Sequence, residues 1–184
     1  MSRSGRESAG FSLVEMVVAV TIISIAVSMT LAINARLMRR EQLNATAVGL
    51  AGWLEEVRRA ALKGNPCSVT IPATSGTGIG TNLATAVEVP LNGAAARPER
   101  CQANSPFTVP SALNTYRVAV SPAQSFTFGA LGTVNPSTDK EMVLSLLNPA
   151  GQVELRRCVR LRGMLGFLEV GNHTGSTCNY PSRY

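Results

Sequence analysis

The sequence predicts an α+β fold in which one long N-terminal helix packs, by its second half, on an antiparallel β-sheet. Three observations support this class. An apolar run of 23 residues begins at position 11, and a stripe of apolar residues with helical spacing continues beyond it. The last third of the chain alternates short β-type segments with turn residues. The 184 residues suffice for one such domain.

Residues 1–10, MSRSGRESAG, are polar and basic, and we predict that they form a leader peptide. The apolar run, 11–33, contains neither proline nor glycine and would span about 34 Å as a helix, enough to cross a bilayer. A secretory signal would have a shorter apolar core with its cleavage site behind it. We therefore expect processing ahead of the run, which leaves 11–33 as a retained transmembrane segment.

Glu15 is the one charged residue in this run. A carboxylate at such a position costs about 3 kcal/mol on insertion scales, and such residues usually have a partner. Cleavage after Gly10 would free an amine at Phe11, and the amine of a neighbouring helix would then neutralise Glu15. The alternative is that Glu15 lies at headgroup level and is simply solvated.

The segment Gly10-Phe11-Ser12-Leu13-Val14-Glu15 resembles the class III signal of type IV prepilins and type II secretion pseudopilins. The resemblance implies that a membrane prepilin peptidase cleaves after Gly10 and methylates the new N-terminal Phe11. It also implies that Glu15 aids assembly with other pilins or pseudopilins through the N-terminal amine of a neighbouring subunit. The implied location is the bacterial inner membrane, crossed once, and then a filament.

The resemblance further implies that the leader is cytoplasmic and that the C-terminal domain is exported. The positive charges that flank the apolar run do not favour this orientation. Arg3 and Arg6 precede the run, whereas Arg36, Arg39 and Arg40 follow it. A bare count of positive charges would therefore place the opposite side in the cytoplasm.

Residues 34–63 are predicted to continue the helix as an amphipathic segment. Its apolar stripe comprises Leu43, Ala47, Leu50, Leu54, Val57 and Ala61. Gly64 and Pro66 are typical of a helix end. A coiled coil is the alternative, but the stripe is only about three heptads long. Gly49 and Gly52 are expected to mark close packing or a bend.

The remainder, 64–184, is predicted to be an exported β-rich domain. Its strands are predicted at 67–72, 86–91, 116–120, 125–128, 141–147, 152–161 and 165–170. Asn148-Pro149-Ala150-Gly151 is typical of a hairpin turn. We expect loops at 73–85 and 92–114. The glycine spacing from Gly76 to Gly80 suggests a phosphate cradle, but no Walker lysine follows, so a plain surface loop is favoured.

The C-terminal domain is similar to the GspH/FimT subgroup of pseudopilins and minor pilins. The similarity rests on the segment Phe126-Thr127-Phe128-Gly129-Ala130-Leu131-Gly132, on the arginine-rich strand, and on Gly163-Met164-Leu165-Gly166. Many relatives have a Gly-Arg-x-Arg-like segment near the end. This chain has Arg160-Leu161-Arg162-Gly163 instead, so a function tied to that segment does not carry over to this chain.

The four cysteines, Cys67, Cys101, Cys158 and Cys178, form no CxxC pair, and His173 is the only histidine. We therefore expect no metal site, and nothing implies another cofactor. An even number of cysteines in an exported domain favours disulfides, with free buried thiols as the alternative. Three pairings are possible, and chain order favours Cys67–Cys101 with Cys158–Cys178.

The formal net charge is +6, and fifteen of the seventeen basic residues are arginines. Arg156, Arg160 and Arg162 are expected on one face of a strand with Arg157 near its edge, where they would contact phosphates, another subunit or only solvent. The favoured function is a structural subunit of a type IV pilus or type II secretion filament. The alternatives are a DNA-binding minor pilin of an uptake pilus and a solitary membrane-anchored protein. No catalytic constellation is recognisable, so we expect no enzyme.

Overall fold

The computed structural model describes residues 12–90, 95, 97, 100–101, 106–113, 115–163 and 165–181, without the side chains of 29–33 and 112. The chain divides into two compact units, Met1–Arg39 and Arg40–Tyr184. The predicted leader, 1–10, and Phe11 lie outside the described residues.

One helix, α1, extends over Leu13–Ala61. The sequence predicts a helix over 11–63, so the two ranges agree at the C-terminal end to within two residues. The first turn of α1 carries an acidic residue and the last turn carries two arginines. Charges of these signs complement the helix dipole at both ends.

The β-strands form two antiparallel sheets instead of the single sheet that the sequence predicts. They are β1 (Cys67–Ile71), β2 (Thr74–Thr77), β3 (Asn82–Glu88), β4 (Phe107–Thr108), β5 (Arg117–Ser121), β6 (Gln124–Phe128), β7 (Val134–Asn135), β8 (Lys140–Leu147), β9 (Val153–Leu161), β10 (Leu168–Thr174) and β11 (Thr177–Asn179). The first sheet has the order β4-β3-β1-β6-β7, and the second has the order β11-β10-β9-β8-β5-β2. Among the described strands, the chain changes sheets five times: between β1 and β2, β2 and β3, β4 and β5, β5 and β6, and β7 and β8.

The second half of α1 and both sheets share one hydrophobic core. All six residues of the predicted apolar stripe are at most 1% exposed: Leu43, Ala47, Leu50, Leu54, Val57 and Ala61. They lie among inward-facing residues that include Val69 and Phe128 of the first sheet and Leu144 and Val159 of the second. Each such aliphatic side chain contributes about 1.5–3 kcal/mol by burial. The predicted α+β class, in which the second half of the helix packs on antiparallel β-structure, is confirmed.

The two helix glycines differ in their surroundings. A Cβ on Gly49 would lie 3.4 Å from Cε2 of Phe107, so the predicted close packing occurs at this position. A Cβ on Gly52 would meet no atom within 4 Å. Only Gly49 therefore allows another part of the chain to approach the helix.

The prediction of a loop over 73–85 is wrong, because β2 and the first part of β3 lie within it. β2 pairs with β5 through an irregular register. A Cβ on Gly76 would lie only 3.0 Å from Cδ1 of Leu147, so the absent side chain lets this strand pack closely. Glycine in a strand often marks such an irregularity. Within the predicted loop 92–114, the described residues include β4 and a 3-10 turn at Ser111–Leu113.

The C-terminal strand prediction, 165–170, is also misplaced. The chain turns at Gly166, whose N–H donates to the Arg162 carbonyl at 2.7 Å, and β10 begins only at Leu168. The predicted turn between β8 and β9 is present, since the Gly151 N–H donates to the Asn148 carbonyl at 2.9 Å.

Two disulfides link the cysteines in the pairing that chain order favours. Cys67 is bonded to Cys101 and Cys158 to Cys178, with Cα atoms 5.7 and 5.9 Å apart. The first bond joins β1 to Cys101, which lies within the long connection between β3 and β4. The second joins β9 to the edge strand β11, so that β11 is held although it pairs through only three residues.

Candidate functional site

The first candidate site is the beginning of α1. Glu15 lies in the first helical turn and is exposed, whereas Gly10 and Phe11 lie outside the described residues. The apolar side chains around Glu15 are also exposed, with Leu13 at 79%, Val14 at 68% and Met16 at 61%. Exposed apolar side chains on a helix are suited to contact an apolar environment or another helix.

Hydroxyl groups in this part of α1 are satisfied within the helix. Thr21 Oγ1 donates to the Val18 carbonyl at 2.8 Å, and Ser24 Oγ donates to the Val20 carbonyl at 2.7 Å. These bonds explain how an apolar run can contain Ser and Thr without presenting unpaired polar groups. No helix among the described residues is both long and apolar enough to cross a membrane.

The second candidate site is the arginine strand β9. Arg160 donates to Oε2 of Glu169 from Nε at 2.8 Å and from a terminal nitrogen at 2.6 Å. Glu141 lies opposite Arg160 on its other side, in β8. Tyr180 covers Arg160, with 3.9 Å between the guanidinium carbon and the ring centre, and its hydroxyl donates to Glu141 at 2.9 Å. The charge of Arg160 is therefore compensated inside the chain.

Arg162 is compensated as well. It donates to Oδ2 of Asp139 at 3.2 Å and to Oε2 of Glu169 at 3.4 Å. The other oxygen of Asp139 accepts the Gly163 N–H at 3.0 Å. Gly163 is required here, because a Cβ would collide with the carbonyl oxygen of Ser137.

The environment shifts three pKa values in this network. The Gly163 hydrogen bond and then the charge of Arg162 lower the pKa of Asp139, against a smaller opposing effect of burial. Burial works to raise the pKa of Glu169, but the hydrogen bond and charge of Arg160 outweigh it, so the pKa is lowered. Burial, followed by the hydrogen bond to Glu141, raises the pKa of Tyr180. These shifts favour ionised Asp139 and Glu169 and a protonated Tyr180.

The four predicted arginines are therefore not one basic surface. Arg156 is exposed, and Arg157 is half-buried on the opposite face of β9. Neither makes an ion pair or a side-chain hydrogen bond with the described residues. Cys158, which lies between Arg157 and Val159 in β9, is fully buried and bonded to Cys178.

A third cluster surrounds Arg58, which sequence reasoning did not identify. Arg58 Nε donates to the Gly132 carbonyl at 3.1 Å, and a terminal nitrogen donates to the Leu165 carbonyl at 3.1 Å. Glu55 pairs with the same guanidinium at 3.4 Å. Gly132 and Gly166 have φ of +71° and +64°, and Cβ atoms on them would approach Arg58 Nε to 3.2 and 2.9 Å. The glycine turns at Gly132 and Gly166 thus contact the last turn of α1 through Arg58.

A buried carboxylate supports the long connection after β3. Glu88 is 4% exposed and accepts hydrogen bonds from the side chain of Asn65, from the Arg97 N–H at 3.1 Å and from Arg100 at 3.2 Å. Cys67 lies opposite Glu88 in β1 and forms the disulfide with Cys101. Glu88 and this disulfide therefore anchor the same segment. No cluster of three or more His, Cys, Asp or Glu that could hold a metal ion occurs in the described part of the chain.

The N-terminus of the chain is similar to a known protein-family motif. The family model of the prokaryotic N-terminal methylation motif matches residues 5–31. The N-terminal segment is therefore prepilin-like. The methylation motif covers about a seventh of the sequence and includes Gly10, Phe11 and Glu15. The predicted prepilin-type N-terminus is therefore confirmed as a motif.

Solved structures with some likeness to this chain include two crystal forms of the type IV minor pilin FimU of Pseudomonas aeruginosa strain PAO1. The form in space group P21 is 17% identical and has a TM-score of 0.46 over 78% of this chain and 96% of that chain. The form in space group P65 is also 17% identical, with a TM-score of 0.44 over 74% and 96%. A search of curated proteins finds no match.

Proposed function

We propose that the chain is a minor pilin or pseudopilin, a subunit of a type IV pilus or a type II secretion filament. In this proposal a prepilin peptidase cleaves after Gly10 and methylates Phe11, and the subunit is held in the inner membrane by 11–33 until it is assembled. The residues from 64 onward form the exported domain. Its role is structural and not catalytic.

The observation that supports the proposal most is where the methylation motif lies on the helix. The motif, 5–31, extends into the part of α1 whose apolar side chains are exposed, whereas the apolar stripe of the second half is buried. The exposed part is apolar on all sides, with Val17, Val20 and Ile23 each more than half exposed. A bilayer before assembly and the helices of neighbouring subunits after it would cover this surface.

Glu15 has a specific role in the proposal. After cleavage behind Gly10 it becomes the fifth residue of the mature chain. Its carboxylate would pair with the amine of Phe11 in a neighbouring subunit, because an uncompensated carboxylate among apolar helices is costly. The N-terminal helices packed inside the filament would thereby hold each new subunit in a fixed register.

The test is processing of the full chain together with a prepilin peptidase, followed by mass spectrometry of its N-terminus. We expect a protein that has lost residues 1–10 and gained one methyl group on Phe11. Gly10→Leu is expected to block both changes, and Gly5→Leu, a glycine substitution elsewhere in the leader, is expected to leave both intact. Unaltered full-length wild-type protein would contradict the proposal.

Capture of DNA, the alternative, has less support than a structural role. A DNA backbone presents successive phosphates, which require several uncompensated cations within reach. Arg160 and Arg162 are already bound to carboxylates of the chain. A gel shift that weakens steeply with salt and is lost with Arg160→Ala plus Arg162→Ala would reverse this ranking.

A further inference from the structure

A polar cleft lies beside the edge strand of the second sheet. It has a volume of about 480 Å³ and is lined by Asn44 of α1, Arg157 of β9, Asn172 of β10 and Asn179 of β11, with Tyr180 at one wall. This volume is within the range of small-ligand sites in proteins. All of these residues belong to the second compact unit.

Arg157 differs from Arg160 and Arg58, two other half-buried arginines of the second compact unit. Arg160 is bound to Glu169 and Arg58 to Glu55. Arg157 is also half-buried, yet it makes no ion pair or side-chain hydrogen bond with the described residues. A guanidinium that loses part of its hydration without gaining a partner is costly. An anion in the cleft would remove this cost.

The other polar groups of the cleft suit an anion with further hydrogen-bonding atoms beside it. The side chains of Asn44, Asn172 and Asn179 form no hydrogen bonds with the described residues. Each amide offers two N–H donors and a carbonyl acceptor. A planar guanidinium binds a carboxylate through two parallel hydrogen bonds, and the amides would bind its remaining lone pairs and an adjoining peptide group.

The arginines near the cleft favour a single carboxylate as its ligand over a polyphosphate. Arg160 and Arg162 are compensated, and Arg156 lies on the other face of β9, so Arg157 has no free cation beside it among these arginines. We propose that the cleft is a carboxylate-binding site, with Arg157 as the charge partner and the three asparagines as positioning residues. Its ligand is either a small organic acid or an acidic side chain of a protein partner. This inference does not depend on the proposed filament role.

The proposal is tested by NMR titration of the ¹⁵N-labelled full chain in detergent micelles, with the side-chain amides of Asn172 and Asn179 as reporters. The probes are N-acetylglutamate methylamide, its neutral isostere N-acetylglutamine methylamide, acetate and dimethyl phosphate. The variants are Arg157→Gln and the control Arg156→Gln, which removes the same charge from the adjacent, exposed position.

We expect the glutamate probe to bind saturably and the glutamine probe not to bind. Arg157→Gln should weaken binding by about tenfold or more and Arg156→Gln by less than about twofold. Asn172→Ala, at an exposed position, should also weaken binding, which keeps the test valid if Arg157→Gln disturbs folding. Acetate binding as tightly as the glutamate probe would identify a small acid as the ligand, and weaker acetate binding an acidic side chain.

Three results would overturn the proposal. The first is that the glutamine probe binds as tightly as the glutamate probe. The second is that Arg157→Gln and Arg156→Gln weaken binding equally. The third is tighter binding of dimethyl phosphate than of the glutamate probe, which would assign the cleft to a phosphodiester.

Discussion

Replacing Arg58 by methionine tests whether the glycine segments around it stabilise the second unit through the end of α1. Arg58 is 21% exposed and donates to the carbonyls of Gly132 and Leu165, both at 3.1 Å. A hydrogen bond from a charged donor contributes about 1.5–3 kcal/mol. Methionine keeps most of the apolar stem, and water would partly satisfy the freed carbonyls. We therefore expect Arg58→Met to lower the free energy of unfolding by about 3 kcal/mol.

The adjacent Arg59 provides a matched control. It is 71% exposed, and its ion pair with Glu55 has a distance of 3.6 Å. Exposed pairs of this kind contribute little, so Arg59→Met should cost less than about 0.5 kcal/mol. Both substitutions remove one positive charge from the last turn of α1, so their difference isolates the contacts of Arg58 with the two loops.

The assay is urea unfolding of the oxidised full chain in detergent, followed by the fluorescence of Trp53, the only tryptophan. Trp53 is a suitable probe because it packs against the core. A loss of about 3 kcal/mol would move the midpoint by about 1–3 M urea. Equal midpoints for the two variants, or a midpoint of Arg58→Met equal to that of the wild type, would show that the contacts of Arg58 with the two carbonyls do not stabilise the protein.

Three further predictions concern steric fit, pH and the disulfides. Gly163→Ala should destabilise the protein by more than about 3 kcal/mol because its Cβ collides with the Ser137 carbonyl, whereas Gly52→Ala, in open space on α1, should stabilise it by up to about 1 kcal/mol, both measured by urea unfolding. The lowered pKa of Glu169 means that its contribution is present above its unfolded value of 4.5 and is lost as pH falls through the lower folded value, so Glu169→Gln should destabilise more at pH 7 than at pH 2. Replacing either cysteine pair by alanine should cost about 3–4 kcal/mol, since the two bonds close loops of similar length, with separations of 34 and 20 residues. A destabilised Gly52→Ala, an equal Glu169→Gln deficit at both pH values, or an unchanged midpoint without a disulfide would each contradict its prediction.

Local signals in the sequence predicted the helix and its buried face well. Spacings of three and four residues are enough to align Leu43 with Ala61 on one face of a helix, and Gly64 and Pro66 prevent its continuation. The turn at Asn148 was equally local. Each of these features depends on residues that are near one another in the chain.

The sheet arrangement and the arginine partners depend on distant residues, and the sequence alone did not reveal them. Arg58 reaches carbonyls that are 74 and 107 positions away. Alternation along β9 predicted which arginines share a face, but not that Glu169 and Asp139 would lie beside them. The ring of Tyr180 over Arg160 and the disulfide from Cys158 to Cys178 likewise depend on residues far from β9 in the sequence. The acidic residues of β8 and β10 were a usable signal, since opposite charges often pair across antiparallel strands.

In the proposed filament subunit, the N-terminal helix is an assembly element that requires the carboxylate of Glu15. The most direct test is the fraction of each processed variant that is recovered in filaments sheared from the cells that normally make this protein. We predict that wild type and Glu41→Gln, a control at an exposed position of the same helix, enter filaments equally. Glu15→Gln should be processed but largely absent from them. Recovery of Glu15→Gln at the wild-type level would contradict the role of the Glu15 carboxylate in assembly. Absence of the wild-type protein from the filaments would contradict the proposed filament role.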